Sequence, residues 1–520
     1  MKGFAKLVFL AASATLGQAA FREGCADAPW DSSTDFWLTK FENDPTLPFL
    51  PTYNNTYVTM RNRQSRYVVL YCSKDPPPTS LVGESALIIK APVKNVAALD
   101  GFSQNLIEML GMSTSIKRTG VYAEVTSSCV RGNMKDKITF DDDKWDKAED
   151  VDVTFYGDTT QSDNQKVLIY NVGNYAPLSQ LGYLKFVSMF FGMEELGQKL
   201  YNAIAANYRC AAAQVQQAVM DGTYPRGASI SPIRKDGDKF TVFQGVWWNT
   251  ILSDAGSRLV NVSADGEASE KSNPTKPDLV TIDASSSGNT FAQSSWAIID
   301  TTQYDQLPGK QAPMTLPKET RVTADTYITR SGASTSSYAV KNGNVFLTDK
   351  ASNRNRRHNF FDRGSARPDQ VIRDIISVVS PSFVADYTNQ FIRSVSNPND
   401  EIALRRYTNT CATKDKELET LRLTSCTLPS WASGYHSTGL KPNAYGTDET
   451  ESLAFRVSSS RLSGGQKAGI AVGSVLVFLL IAAAAGLGVY KCRRSRAASK
   501  TKGSEMDQVE KGSIASKSTK

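Results

Sequence analysis

Residues 468–490 (AGIAVGSVLVFLLIAAAAGLGVY) run for 23 positions without a charge, and Lys491, Arg493, Arg494 and Arg496 follow at once. As a helix rising about 1.5 Å per residue, this stretch is long enough to cross a hydrocarbon core of roughly 30 Å. The basic stop predicts a cytosolic C-terminus. The chain opens on Met1, Lys2, Gly3 and an apolar run over 7–16, closing on small residues at Ala19 and Ala20. That is the layout of a cleavable secretion signal. The expectation is a signal peptide (1–20), a body displayed outside the cell or in a lumen, one transmembrane helix (468–490) and a cytoplasmic tail (491–520). A plasma-membrane or endosomal location follows.

The formal charge of +7 gives no hint of an acidic partner such as nucleic acid once it is divided along the chain. Lys2 and Lys6 sit in the signal, and the tail carries nine Lys or Arg against Glu505, Asp507 and Glu510. The remaining body is near neutrality, so the positive charge faces anionic lipid and nucleic acid is not an expected partner. Cysteines divide in the same way. Cys25, Cys72, Cys129, Cys210, Cys411 and Cys426 are lumenal, an even set in an oxidising compartment and candidates for disulfides. Spacing favours Cys411 with Cys426 as a local pair. Cys492 lies at the cytosolic membrane edge, a position open to S-palmitoylation. Sequons at Asn54 and Asn261 are glycosylation candidates. Gly469 and Gly473 form a GxxxG face, a helix-dimer signal and equally an ordinary feature of membrane helices.

Between signal and span the pattern alternates. Residues 21–85 form an N-terminal extension with too little periodicity to assign elements. A short strand at 96–99 precedes a helix over 103–110, with Ser103 placed to cap it and Gly111 to end it. Compact β-prone runs follow at 152–156 and 167–170. The longest helical pattern spans about 179–220 with a break at Gly192, its apolar residues spaced by three and four. Strands return at 240–244, 296–300 and 345–347, a helix runs from Trp247 to about Asp254, and an amphipathic helix covers 370–379. The fold class is α/β: two Rossmann-like lobes joined by a long interlobe helix, plus the single C-terminal transmembrane helix. The lobes are placed at 86–178 and 223–395, the interlobe helix at 179–222, and a membrane-proximal stalk at 396–467.

Over about residues 88–395 this order resembles the class III periplasmic-type substrate-binding proteins, the iron-siderophore and cobalamin branch, here in a eukaryotic membrane-anchored form. Val96-Ala97-Ala98-Leu99 through Leu106, Leu110 and Gly111 is similar to the strand and helix that open that family's N-lobe. The stretch from Ile116 to Tyr122 is similar to its next strand and loop, and Pro177 through Tyr208 to its interlobe helix. In the C-lobe the echoes are Asp254-Ala255-Gly256, Val340-Lys341-Asn342-Gly343-Asn344-Val345, and Arg367-Pro368-Asp369-Gln370-Val371 onward to Pro381. The resemblance implies ligand capture between lobes with little hinge motion. It also implies handover to a membrane partner such as a ferric reductase or transporter.

No GxSxG elbow, HExxH, Walker loop or CxxC is present, so the chain is not expected to be an enzyme. Acidic runs such as Asp141-Asp142-Asp143 read as solvated loops. Histidine is the telling scarcity, since only His358 and His436 exist. A bare transition-metal site wants several imidazoles, so a metal cargo would arrive inside a chelator, with no cofactor of the protein's own. An organic, anionic chelate calls for aromatic faces and guanidinium donors. The candidates on loops after strands are Phe102, Tyr122, Tyr175, Trp247, Trp248, Arg354, Arg356, Arg357 and Phe360. The segment NRNRRHNFFDR over 353–363 is the sharpest feature. It reads as a guanidinium clamp flanked by rings, or as a basic loop whose Phe360 and Phe361 plug the lobe core. The expected function is a single-pass surface receptor for a siderophore-like iron chelate. The alternatives are cobalamin or haem binding by the same fold, an adhesion or structural glycoprotein, and a hydrolase built on scattered carboxylates.

Overall fold

The computed structural model describes residues 25–404 except 43, 45, 63–66, 84–85, 121–124, 128, 133–149, 158–165, 169–174, 226, 263–267, 270–278, 284–293, 305–320 and 354. All of these lie in the first of two units, Met1–Phe455; the second is Arg456–Lys520. The expected signal, transmembrane helix and tail, Tyr122, Arg354, Cys411, Cys426 and Cys492 fall outside the described residues. Among the described residues no helix is long and apolar enough to cross a membrane.

The N-terminal extension is not irregular. It forms a four-stranded sheet of β1 (Phe49–Tyr53), β2 (Tyr57–Asn62), β3 (Tyr67–Tyr71) and β4 (Leu87–Lys90). The first three pair antiparallel and β4 joins β3 in parallel. Pro51 hid the first strand, but β1 is an edge, where a missing N–H costs no ladder bond. Asn54 lies in the β1–β2 turn, its N–H donating to the Tyr57 carbonyl at 2.8 Å. The inner face packs Phe49 against Phe186, centroids 5.1 Å apart, and Cys25–Cys72 ties the segment ahead of the sheet to the end of β3. Cys129 and Cys210 are also disulfide-bonded.

The N-lobe sheet is parallel throughout, in the order β6 (Ile116–Thr119), β5 (Val96–Ala98), β7 (Val153–Tyr156) and β8 (Lys166–Leu168). Helix α1 (Gly101–Met109) follows β5. Its cap is Asp100, whose Oδ1 accepts from the Ser103 N–H at 2.8 Å; Ser103 therefore stands inside the helix rather than at its cap. Gly111, at φ 73°, supplies the left-handed residue that ends it.

Three helices then carry the chain across: α2 (Pro177–Leu181), α3 (Tyr183–Phe190) and α4 (Glu194–Met220). The expected break is there, with Gly192 at φ 66°. Close packing of α3 on α4 rests on Gly197, since a Cβ there would lie 2.3 Å from Ser188 Oγ. Helix α4 is 27 residues long, about 40 Å at the usual rise. Its first half (Leu200, Tyr201, Ile204) belongs to the N-lobe core and its second half (Tyr208, Ala212, Val215) to the C-lobe core.

The C-lobe sheet has seven strands. The long β9 (Ala228–Asp236) pairs with β10 (Lys239–Phe243), β11 (Ser257–Leu259) and β15 (Ala297–Asp300), and the sheet continues to β14 (Leu279–Asp283), β16 (Val345–Leu347) and β18 (Arg393–Ser394). Small pairs flank it: β12 (Asn261–Val262) with β13 (Ala268–Ser269), and β17 (Ala351–Ser352) with β19 (Ala403–Leu404). Strand β9 went unpredicted because Pro232 sits in its middle. On that side the β11 partners stop at Ile230 and the β10 partners begin at Ile233, so Pro232 falls where no ladder bond is due. Helices α5 (Val246–Asp254), α6 (Ala324–Ser331) and α7 (Pro368–Val379) complete the lobe. Asp374 on α7 accepts from the N–H groups of Gln390, Phe391 and Ile392 and from the Tyr387 hydroxyl, which fixes the return into β18.

The Cys25–Cys72 bond closes a separation of 47 residues, and chain-entropy arguments put its worth at about 4 kcal/mol. Replacing Cys25 by Ser should lower the urea midpoint by a corresponding amount. An unchanged midpoint would show that the extension holds without the bond.

Candidate functional site

Loops leaving the carboxyl ends of the parallel strands of both lobes meet at one seam. In open α/β sheets this is the edge where ligands bind. From the N-lobe come Asp100 and the start of α1, after β5, and residues 125–131, beyond β6. From the C-lobe comes the segment 353–364, which follows β16 and β17. The contacts are direct. Asn353 Nδ2 donates to the Val125 carbonyl at 3.0 Å, Arg131 donates to Asn355 Oδ1 at 2.7 Å, and Thr126 Oγ1 donates to Asp362 Oδ2 at 2.7 Å. Arg363 lies 3.9 Å from Glu108, which also accepts from the Ser127 hydroxyl. Asp362 stands so close over α1 that a Cβ on Gly101 would fall 2.1 Å from its Cγ. Only glycine fits there.

The C-lobe segment is shaped by its own hydrogen bonds. Asn353 Oδ1 accepts from the N–H groups of Asn355 and Arg357 at 2.8 and 3.0 Å, and the Arg356 N–H donates to the Asn353 carbonyl. This curl sets Arg356 at φ 62°, the one non-glycine in the left-handed region among the described residues. Such a conformation persists only where the surroundings impose it. A π-helical turn, Phe360–Gly364, then aims Asp362 across the seam.

The sequence-predicted residues divide sharply. Phe102 is wholly buried in the N-lobe core, edge-on to Tyr183, and Tyr175 packs against the same ring. Trp247, Trp248 and Phe360 form a buried C-lobe cluster, Phe360 stacked on Trp248 at 5.5 Å and edge-on to Trp247 at 6.1 Å. These five rings therefore serve the cores, and the segment 353–363 does carry the plug that the two phenylalanines suggested. Arg356 is buried, and Arg357 is half-buried with its Nε finding no acceptor among the described residues. Sequence reasoning missed the seam's own polar partners: Thr126, Arg131, Asn353, Asn355 and Asp362. None carries a motif; only tertiary placement brings them together.

Beside the seam lies a small C-lobe cavity at the carboxyl ends of β15 and β16. Thr302, Tyr304, Asp349, Ser352, Arg356 and His358 line it. Its enclosed volume is about 10 Å³, room for about one water. Asp349 is taken up by a bidentate pair with Arg393 at 2.8 and 2.6 Å. Burial pushes His358 down to about 4, with the Asp349 charge opposing and Arg357, Arg393 and Arg356 adding to the fall. The ring is therefore neutral at physiological pH, and its Nδ1 meets Thr348 Oγ1 at 3.3 Å. Among the described residues no group of three or more His, Cys, Asp or Glu converges as a metal ligand set.

No family model matches the chain, and no curated protein sequence matches it. Solved structures overlap part of it. A periplasmic haem-binding protein from Pseudomonas aeruginosa is 10% identical with a TM-score of 0.39, covering 56% of this chain and 94% of its own. A possible iron-binding periplasmic solute-binding protein from Staphylococcus epidermidis is 11% identical with a TM-score of 0.38, covering 56% and 99%. The siderophore-binding protein FhuD from Vibrio cholerae, bound to Fe3+-Desferal, is 14% identical with a TM-score of 0.36, covering 55% and 99%. At these scores the overlaps assign neither fold nor ligand to this chain.

Adding a methyl group at Gly101 tests the seam directly. Gly101→Ala should cost about 1–3 kcal/mol of unfolding free energy through overpacking. Combining it with Asp362→Ala should recover most of that loss. A double-mutant cycle by urea unfolding with no coupling between the two sites would show that the lobes do not meet there in solution.

Proposed function

We propose that this chain is a single-pass membrane receptor whose two lobes bind a chelated iron of the siderophore type at their seam, for uptake. The observation that carries the reading is the convergence of loops from the carboxyl ends of both sheets on one guanidinium-rich seam. Arg131, Arg356, Arg357 and Arg363 gather there, and Arg357 keeps a donor with no acceptor among the described residues. Guanidinium forks suit the carboxylates and oxyanions of an organic chelator. With a lone neutral imidazole beside the seam, the metal is proposed to arrive already wrapped. The membrane span over 468–490, glycans at Asn54 and Asn261, and a reductase or transporter that completes uptake belong to the same proposal. Cobalamin and haem remain alternative cargoes for the same seam.

One observation favours a second reading. The seam is filled by the protein's own side chains, with Asn353, Asn355 and Asp362 all at most 5% exposed. A permanently latched pair of lobes would suit an adhesion or structural glycoprotein.

Thermal unfolding of the full chain in detergent separates the two. The panel holds ferric hydroxamate and catecholate siderophores, their iron-free forms, cobalamin, haemin and ferric citrate. A ligand at 100 times its Kd adds about 2.7 kcal/mol, which is a rise of a few degrees in Tm. A rise with a ferric siderophore and none with its iron-free form is expected. No rise with any member, in a protein that unfolds cooperatively, would favour the structural reading.

A further inference from the structure

We propose that Glu194 is a pH-gated lock between the N-terminal extension and the bridging helix α4: the extension seals over an uncharged carboxyl, and ionisation of that carboxyl parts the two. The lock acts on the N-lobe side alone and needs neither the seam nor a cargo.

Glu194 opens the first turn of α4 and is wholly buried, and neither of its carboxyl oxygens meets a hydrogen-bond partner among the described residues. Its neighbour shows the ordinary alternative, since Glu195 is exposed and pairs with Lys199 one turn on. The extension and the segment leaving β4 contact the helices on both sides of this turn. Before it, the Val93 N–H donates to the Phe190 carbonyl at 2.8 Å and Phe49 packs on Phe186. After it, Lys185 lies between the ring of Phe41, at 5.8 Å, and that of Tyr201, at 4.1 Å. Tyr53, at the end of β1, accepts from the Phe41 N–H at 2.9 Å. Burial raises the Tyr53 hydroxyl above its usual range, the Phe41 N–H opposes the rise, and the Glu194 charge adds to it, which places the two within electrostatic reach. The other charged groups on these elements are engaged elsewhere. On α3, Lys185 is reached by the charges of Asp44, Arg209 and Glu42, and on α4 Arg209 hydrogen-bonds Tyr201. In the extension Lys40 pairs with Asp35, and on β4 Lys90 donates to the Ala26 carbonyl. Among the described residues no lysine or arginine pairs with Glu194.

A buried carboxylate with no partner is costly, so the group stays protonated while it is covered. Burial accordingly raises Glu194 well above 4.5, with its own backbone N–H opposing the rise. Once the extension lifts and water enters, Glu194 returns toward its ordinary value. The docked form therefore holds more protons than the parted one. Its added stability is fully present below the ordinary carboxylate pKa and is lost as pH rises through the raised value, by at most about tenfold per pH unit for one proton. Lys185 acts with the opposite sign. Burial lowers it to about 8, with Asp44 opposing, so its loss of a proton favours the docked form on the alkaline side. Between pH 5 and 7 Lys185 stays charged and Tyr53 neutral, and the change belongs to Glu194.

The test is amide hydrogen exchange of the full chain in detergent, corrected for intrinsic rates, at pH 5 and 7. Residues 49–62 and 194–201 should be several-fold more protected at pH 5, while the C-lobe helix 246–254 keeps its protection. Glu194→Gln, neutral and of the same shape, should remove the difference and hold the pH 5 level of protection at pH 7. Where the amide does not pack, Glu194→Met, apolar and of similar length, should do the same. Equal protection of 49–62 at both pH values in the wild type overturns the lock. So does an undiminished pH difference in either variant, or a loss shared in full by 246–254, which would mark global unfolding. Failure of both variants to fold at pH 5 would show that the carboxyl makes a specific bond in the docked form, and that also overturns it.

Discussion

Everything in this structure hangs on one helix that belongs to two cores. Along Glu194–Met220 the apolar face contributes Leu200, Tyr201 and Ile204 to one lobe and Tyr208, Ala212 and Val215 to the other. A helix buried at both ends cannot bend without breaking backbone hydrogen bonds or exposing apolar surface. The lobes are therefore held at a nearly fixed angle, and what freedom they have lies in small rotations about the helix axis. Tyr208 adds a polar fastening midway, its hydroxyl donating to the buried Asp254 of α5 at 2.6 Å.

A fixed bridge explains the polar character of the seam. If the lobes were meant to fuse, an apolar interface would bind them more firmly than buried ions, whose desolvation offsets much of their attraction. Instead the meeting surfaces carry Asn353, Asn355, Arg131, Asp362 and Thr126, each hydrogen-bonded across the gap. Such a surface is stable when the groups are in register and can be rehydrated when they part. The apolar rings sit one layer behind it, in the stack of Phe360 on Trp248, and shape the loop from within the C-lobe core.

Much of the architecture was legible along the chain. Strands β10, β15 and β16 and helices α5 and α7 stand within a residue or two of the positions that compact β-prone runs and apolar spacing indicated, and Gly192 breaks the bridging helices where expected. What could not be read was masked by proline. Pro51 and Pro232 sit inside strands because one lies on an edge and the other in a gap between two partners, and neither circumstance shows locally. The site was legible only as a segment. Residues 353–363 stood out by composition, but whether Phe360 or Asp362 faces the other lobe depends on a π-helical turn. The cap on α1 was misplaced for a similar reason: Asp100 and Ser103 are both good capping residues, and the carboxylate took the role.

The two ends of the described chain load different lobes. At the start, Cys25–Cys72 and the cation–π contact of Lys185 with Tyr201, at 4.1 Å, and with Phe41, at 5.8 Å, bind the extension to the bridging helices on the N-lobe side. At the finish, Ala403–Leu404 pairs with β17, and Lys350 holds Asp400, both in the C-lobe. Tension drawn through Ala403–Leu404 therefore enters the described structure at the C-lobe. Among the described residues it passes to the N-lobe through the stiff helix and the hydrogen-bonded seam, and of these the seam is the one that yields.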